Sequence, residues 1–170
     1  DIVQDKMGRI WLASWEKGLL MTDGKKKPYQ FVAFLNKHLG QSRIHDLEMD
    51  SHGILWIATC DGIYSIDTKR KNLSEKDFKH FGTSNHQLSG DEVICLQSTP
   101  QGKLYAGITG EGLVECHIDK QGNITKQKVI SESLRINTNI VNSISQDRLG
   151  NLWIGTELGI YRLSSDYSDI

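Results

Sequence analysis

The sequence predicts an all-β fold made of small antiparallel sheets that repeat along the chain, and three observations carry this. Glycines at Gly8, Gly53, Gly102 and Gly150 recur at intervals of 45, 49 and 48 residues. Each is followed three residues later by an aromatic residue (Trp11, Trp56, Tyr105, Trp153) and two further on by a small one (Ala13, Ala58, Gly107, Gly155). A second glycine then opens another apolar run, at Gly18-Leu-Leu, Gly62-Ile-Tyr, Gly112-Leu-Val and Gly159-Ile-Tyr. Self-similarity at such a period identifies a repeat architecture before any single element is assigned.

The elements of one copy follow in order. The first strand is marked by Ile44-x-x-Leu47, Val93-x-x-Leu96 and Val141-x-x-Ile144. A spacing of three breaks the period of two, and a β-bulge would account for it. Asp5, Asp50 and Asp147 then begin Asp-x-x-Gly turns, in which the carboxylate can bond its own backbone and glycine accepts a positive φ. The second strand, as in Leu55-Trp-Ile-Ala and Leu152-Trp-Ile-Gly, is short, β-prone and continuously apolar, so both of its faces are covered. Its aromatic residue is expected to pack between neighbouring sheets. Gly62–Asp67 and its equivalents form the third strand; Tyr29–Phe34, Phe78–Phe81 and Ile124–Ile130 are candidates for the fourth. Four strands in this length make one blade of a β-propeller. The chain is therefore predicted to be a propeller segment of about three and a half four-stranded antiparallel blades, over residues 1–38, 39–86, 87–135 and 136–170.

The third copy departs from the pattern, with Thr99 in place of aspartate, Tyr105 in place of tryptophan and one extra residue before Gly112. The ends depart too. Ile2 aligns with Leu47, so the first copy starts part-way through its first strand, and no convincing fourth strand follows Leu163. A sequence opening Asp-Ile-Val reads as part of a longer chain. The partner expected for the open end sheets is the remainder of the same propeller or another copy of the chain.

Composition excludes several classes. With 20 Lys+Arg against 21 Asp+Glu the chain has no basic field for nucleic acid, and Lys25-Lys-Lys27 and Lys69-Arg-Lys71 read as solvated loops. No apolar run approaches the roughly 18 residues of a membrane span, so no direct membrane insertion is expected. Cys60, Cys95 and Cys116 form no CxxC, and the six histidines show no HxxxH or HExxH spacing, so neither metal nor cofactor is expected. Cys95 and Cys116 lie in predicted strands and read as buried small hydrophobes. Gly107-Ile-Thr-Gly110-Glu-Gly112 runs GxxGxG between two strands with no Lys-Ser/Thr following, which excludes a phosphate loop. His45-Asp46 has no nucleophile motif beside it, so a surface or strand-edge histidine is expected there rather than an acid–base pair.

The pattern Val141-x-x-Ile144-x-x-Asp147-x-x-Gly150-Asn-Leu-Trp-Ile-Gly-Thr-x-x-Gly159-Ile-Tyr resembles the two-component regulator propeller repeat. The likeness runs through essentially the whole chain and is strongest in the second and fourth copies. It implies the periplasmic sensor propeller of a membrane-bound bacterial regulator, the whole protein being a hybrid sensor histidine kinase, in a family often linked to polysaccharide use. That family brings no catalytic motif, so the resemblance implies a non-enzymatic segment.

One pattern points to a ligand. The turn between second and third strands carries an acid in every copy, Glu16, Asp61, Glu111 and Glu157, and Trp15 stands outside the repeated aromatic position in the first of these turns. In propellers this turn lies at the mouth of the central channel. An indole there can stack on a sugar ring, and carboxylates accept hydrogen bonds from hydroxyls. The leading expectation is a carbohydrate-sensing propeller with these five residues as its ligand contacts. The alternatives are a lyase-like catalytic propeller, which would need a histidine and metal-binding acids on the same face, and a generic protein-interaction scaffold.

Overall fold

A computed structural model describes residues 1–22, 30–31, 37, 43–136 and 138–165. Fifteen strands among them form four antiparallel sheets, each meandering in chain order. Sheet 1 holds β1 (Ile2–Gln4), β2 (Ile10–Ser14), β3 (Gly18–Thr22) and β4 (Gln30–Phe31). Sheet 2 holds β5 (Ile44–Met49), β6 (Ile54–Thr59), β7 (Gly62–Asp67) and β8 (Phe78–Phe81). Sheet 3 holds β9 (Val93–Ser98), β10 (Lys103–Ile108), β11 (Gly112–Ile118) and β12 (Ile124–Val129). The described part of sheet 4 is three-stranded: β13 (Val141–Gln146), β14 (Leu152–Thr156) and β15 (Gly159–Leu163). The first strands lie side by side, β1 by β5, β5 by β9 and β9 by β13, as the inner strands of a propeller do. The basic run Lys25–Lys27, His38 and most of the expected strand Tyr29–Phe34 fall outside the described residues.

The spacing of three in the inner strands is a bulge. Ile44 pairs with Thr59 and Asp46 with Ala58, leaving His45 as the extra residue; Asn142 and Ile94 are its counterparts. One inserted residue returns the next side chain to the same face, so Ile44 and Leu47 are both buried. The tight hairpin after β6 depends on its glycine. Gly62 has φ +94°, and a Cβ there would lie 2.1 Å from the Phe81 carbonyl oxygen.

Three apolar layers hold the sheets together, one per interface. Trp11 and Leu19 of sheet 1 meet Ile44, Leu55 and Ile57 of sheet 2. Trp56 and Ile63 of sheet 2 meet Leu96, Leu104 and Ala106 of sheet 3. Tyr105 and Leu113 of sheet 3 meet Ile144, Leu152 and Ile154 of sheet 4. The second strand thus sends its aromatic forward and its flanking aliphatics back, which explains its unbroken apolarity. Trp11 and Trp56 are fully buried. Trp153 does not follow them: it points to the far face of sheet 4, where no further sheet among the described residues packs, and is 44% exposed beside Leu158 and Ile160.

Each matched aspartate caps its turn and also receives the indole. Asp50 Oδ1 accepts from the His52 and Ile54 amides, and its Oδ2 accepts from Trp56 Nε1 at 3.1 Å. Asp5 and Asp147 repeat the arrangement with Trp11 and Trp153. Hydrogen bonds from the Asn151 side-chain Nδ2 and the Trp153 indole hold the Asp147 carboxyl down at about 2. In the third copy both partners change together. Thr99 Oγ1 accepts from the Lys103 amide, and the Tyr105 hydroxyl turns to Glu115 at 3.0 Å, the residue paired with it across the sheet.

Acids on the inner strands tie sheet to sheet. Asp46 Oδ2 accepts from the Leu96 amide, and Glu48 Oε1 from the amide and hydroxyl of Ser98. Burial raises the pKa of both carboxyls. A raised folded-state pKa means the contribution to stability is present below the unfolded value and is lost as pH rises through the folded one. Glu48→Gln keeps an acceptor and removes the desolvated charge. Its stability relative to the parent should therefore improve on going from acid to neutral pH, measured by urea unfolding at both. A relative stability that falls with rising pH would contradict the assignment.

Candidate functional site

The hairpins between second and third strands gather at one end of the sheets, together with the connections that lead into the inner strands. Local chemistry shapes each hairpin. The Thr59 hydroxyl donates to the Gly62 carbonyl and accepts from the Asp61 amide, closing a two-residue loop of Cys60 and Asp61. Thr156 does the same around Glu157 and Leu158. The loops Trp15-Glu16-Lys17 and Thr109-Gly110-Glu111 are one residue longer.

All five sequence-selected residues lie at this end, each in its own surroundings. Trp15 is 66% exposed, and the Arg43 guanidinium sits 5.2 Å from its ring centroid. Glu16 is exposed beside it. Asp61 accepts from the Tyr64 hydroxyl at 3.1 Å, and the His80 ring stacks on Tyr64 with centroids 4.4 Å apart. Burial, then the Asp61 carboxylate, raises the Tyr64 hydroxyl pKa. Glu111 is half-buried, its carbonyl accepting from Ser131 Oγ. Glu157 accepts from Thr138 Oγ1 at 2.9 Å and lines an open depression of about 640 Å³ with Glu132, Arg135, Ile136, Thr138 and Asn139. Arg135 holds a left-handed backbone, φ 54°.

Arg43, His80 and Arg135 join the face without having been legible in the sequence. They lie in connections or at a fourth strand, outside the repeated positions, and only folding sets Arg43 over an indole 28 positions away. Asp91 lies nearby; bonds from the Thr83 hydroxyl and amide, with His80 in support, hold its carboxyl below the usual range. Among the described residues no group of three or more His, Cys, Asp or Glu could hold a metal ion. Cys95 and Cys116 are buried, and burial pushes both thiols up to about 12.

The sheets and their forward-packed aromatics define a β-propeller of four-stranded blades. Two of its repeats match a known family: residues 38–61 and 135–158 match the family model described as two component regulator propeller. No curated protein sequence matches the chain. Among solved structures it is similar to the extracellular domain of the hybrid two-component system BT3049 of B. thetaiotaomicron, with TM-score 0.78 and 22% identity over 99% of this chain and 22% of that one. The extracellular domain of BT4673 of the same organism gives TM-score 0.71 and 20% identity over 95% of this chain and 20% of that one. Virginiamycin B lyase of Staphylococcus aureus gives TM-score 0.63 and 15% identity over 96% of this chain and 54% of that one. The chain thus spans about a fifth of the two-component neighbours. At these identities the likenesses show the shared fold. No helix among the described residues is long and apolar enough to cross a membrane.

Proposed function

We propose that this chain is a non-enzymatic part of the extracytoplasmic sensor of a membrane-bound two-component regulator, and that it reads a carbohydrate on its hairpin face. The family match to two-component regulator propellers carries the sensor reading. Two features of the face support the carbohydrate. Trp15 offers a mostly exposed indole steadied by Arg43, a surface suited to the C–H face of a sugar. The carboxylates and the depression at Glu157 offer acceptors for hydroxyls. The test is transcription driven by the full-length regulator in response to a panel of polysaccharides. Trp15→Ala with Glu157→Ala should shift the dose response by about tenfold or more, the equivalent of one lost stacking or hydrogen-bonding anchor. An unchanged response with stability intact would move the site off this face.

In the same reading the exposed forward face of sheet 4 packs on the aliphatic face of a further sheet, from the remainder of the propeller or another copy. It would repeat the Trp11 and Trp56 interfaces. Amide exchange across β15 should then be slower in the longer protein than in the 170-residue chain. Equal exchange would leave that face without a partner.

A further inference from the structure

Two arginines at the turn end of the sheets have carboxylate partners. Arg9 meets Asp5 at 2.6 Å, and Arg70, although its side chain is largely exposed, meets Asp77 at 2.7 Å. Arg43, on the hairpin face, differs from both. Among the described residues its guanidinium pairs with no carboxylate, and it stands instead over the Trp15 indole, 5.2 Å from the ring centroid. That indole is 66% exposed. The two side chains come from different sheets, Trp15 from the hairpin between β2 and β3 and Arg43 from the residue before β5. The Cys60 amide donates to the Arg43 carbonyl at 3.3 Å, so the arginine backbone is held against the next hairpin. Lys17 and Glu16 flank the indole along the chain, both exposed and neither ion-paired with Arg43. Asp61, the acid of that next hairpin, is engaged by the Tyr64 hydroxyl and lies 3.8 Å from His80 Nε2.

We infer that the Trp15–Arg43 pair reads a sugar ring bearing an anionic group, a carboxylate or a sulfate, so that the glycan proposed for the hairpin face is an acidic one. The inference rests on that proposal and names its ligand class. An indole stacks on the C–H face of any sugar and by itself does not discriminate among them. The guanidinium supplies the discrimination: it is planar, stays charged across the physiological pH range, and its fork of N–H donors fits the paired oxygens of an oxyanion. A guanidinium that already holds a carboxylate of its own chain has spent those donors, as at Arg9 and Arg70. Arg43 has not. Its contact with the indole also orders the side chain before any ligand arrives, which lowers the entropy lost on binding. A ring stacked on the open part of the indole brings a substituent on its edge alongside the guanidinium.

The test is calorimetric titration of the chain with trigalacturonic acid, a sulfated galactose trisaccharide and neutral galactotriose, which share one ring type and differ in charge. One of the two acidic probes should bind about tenfold or more tighter than the neutral one, the equivalent of one charge-assisted hydrogen-bonding anchor. Which of the two binds tighter identifies the anion as carboxylate or sulfate. Arg43→Gln should abolish that preference while leaving the affinity for galactotriose and the circular dichroism of the parent unchanged. Arg43→Lys keeps the charge without the fork and should retain only part of the preference. Equal binding of acidic and neutral probes, or a preference that survives in the folded Arg43→Gln variant, would overturn the inference and leave the carbohydrate reading of the face standing. Absence of binding by all three probes would overturn both.

Discussion

Replacing Trp56 with alanine should destabilise the chain by about 3–5 kcal/mol, the range for truncating a fully buried large aromatic. The indole has no exposed surface, packs 6.1 Å from the Phe81 ring, and fills the layer between sheets 2 and 3. Its removal also strands the Asp50 oxygen that accepted from Nε1. The equivalent change at Trp153 should cost far less, because that side chain lies on an open face. Urea unfolding of both variants checks the pair. A Trp56 variant within about 1 kcal/mol of the parent would mean that this residue does not form the core of a sheet interface.

The second large effect is expected at Asp5. Its carboxylate accepts from the Met7 and Arg9 amides, from Arg9 Nε at 2.6 Å and from Trp11 Nε1. Arg9 in turn reaches carbonyls of sheet 2 and lies 5.5 Å from the Trp11 ring centroid. Asp5→Ala leaves a buried guanidinium without its counter-charge, and breaking one partner of such a pair costs about 3–5 kcal/mol. Asp147→Ala removes a similar set of bonds on a surface where water can replace them, and should shift the unfolding midpoint much less. Equal losses at the two positions would show that the turn alone, and not the interface, carries the effect. Among the described residues no buried cation pairs with Asp147, so the contrast reports the buried interface around Asp5, Arg9 included.

Much of the architecture was legible because the repeat writes its two central strands and the glycines of their turns four times. Turn glycines, the aromatic three residues on and the second glycine located β2, β6, β10 and β14 and the hairpins after them, and the spacing of three in the inner strands reported a bulge. Local chemistry suffices for these features: glycine is selected by positive φ, aspartate by the amides of its own turn, and the strand by apolar residues on both faces. What the turn aspartates do beyond capping was not legible, since the indole lies six residues away and meets the carboxylate only across the hairpin.

The candidate site divides in the same way. Trp15, Glu16, Asp61, Glu111 and Glu157 could be chosen from the sequence because repeat equivalence places their hairpins at one end. Arg43 over Trp15, His80 on Tyr64 and the depression beside Glu157 depend on residues from different copies or from connections with no repeated pattern. By itself the sequence determined the sheets, their order and the face on which the hairpins gather, because those follow from backbone sterics and local hydrogen bonds. Only the tertiary structure decided that Trp153 is exposed while Trp56 is buried. That depends on what the neighbouring sheet presents, and the contact joins residues about one repeat apart.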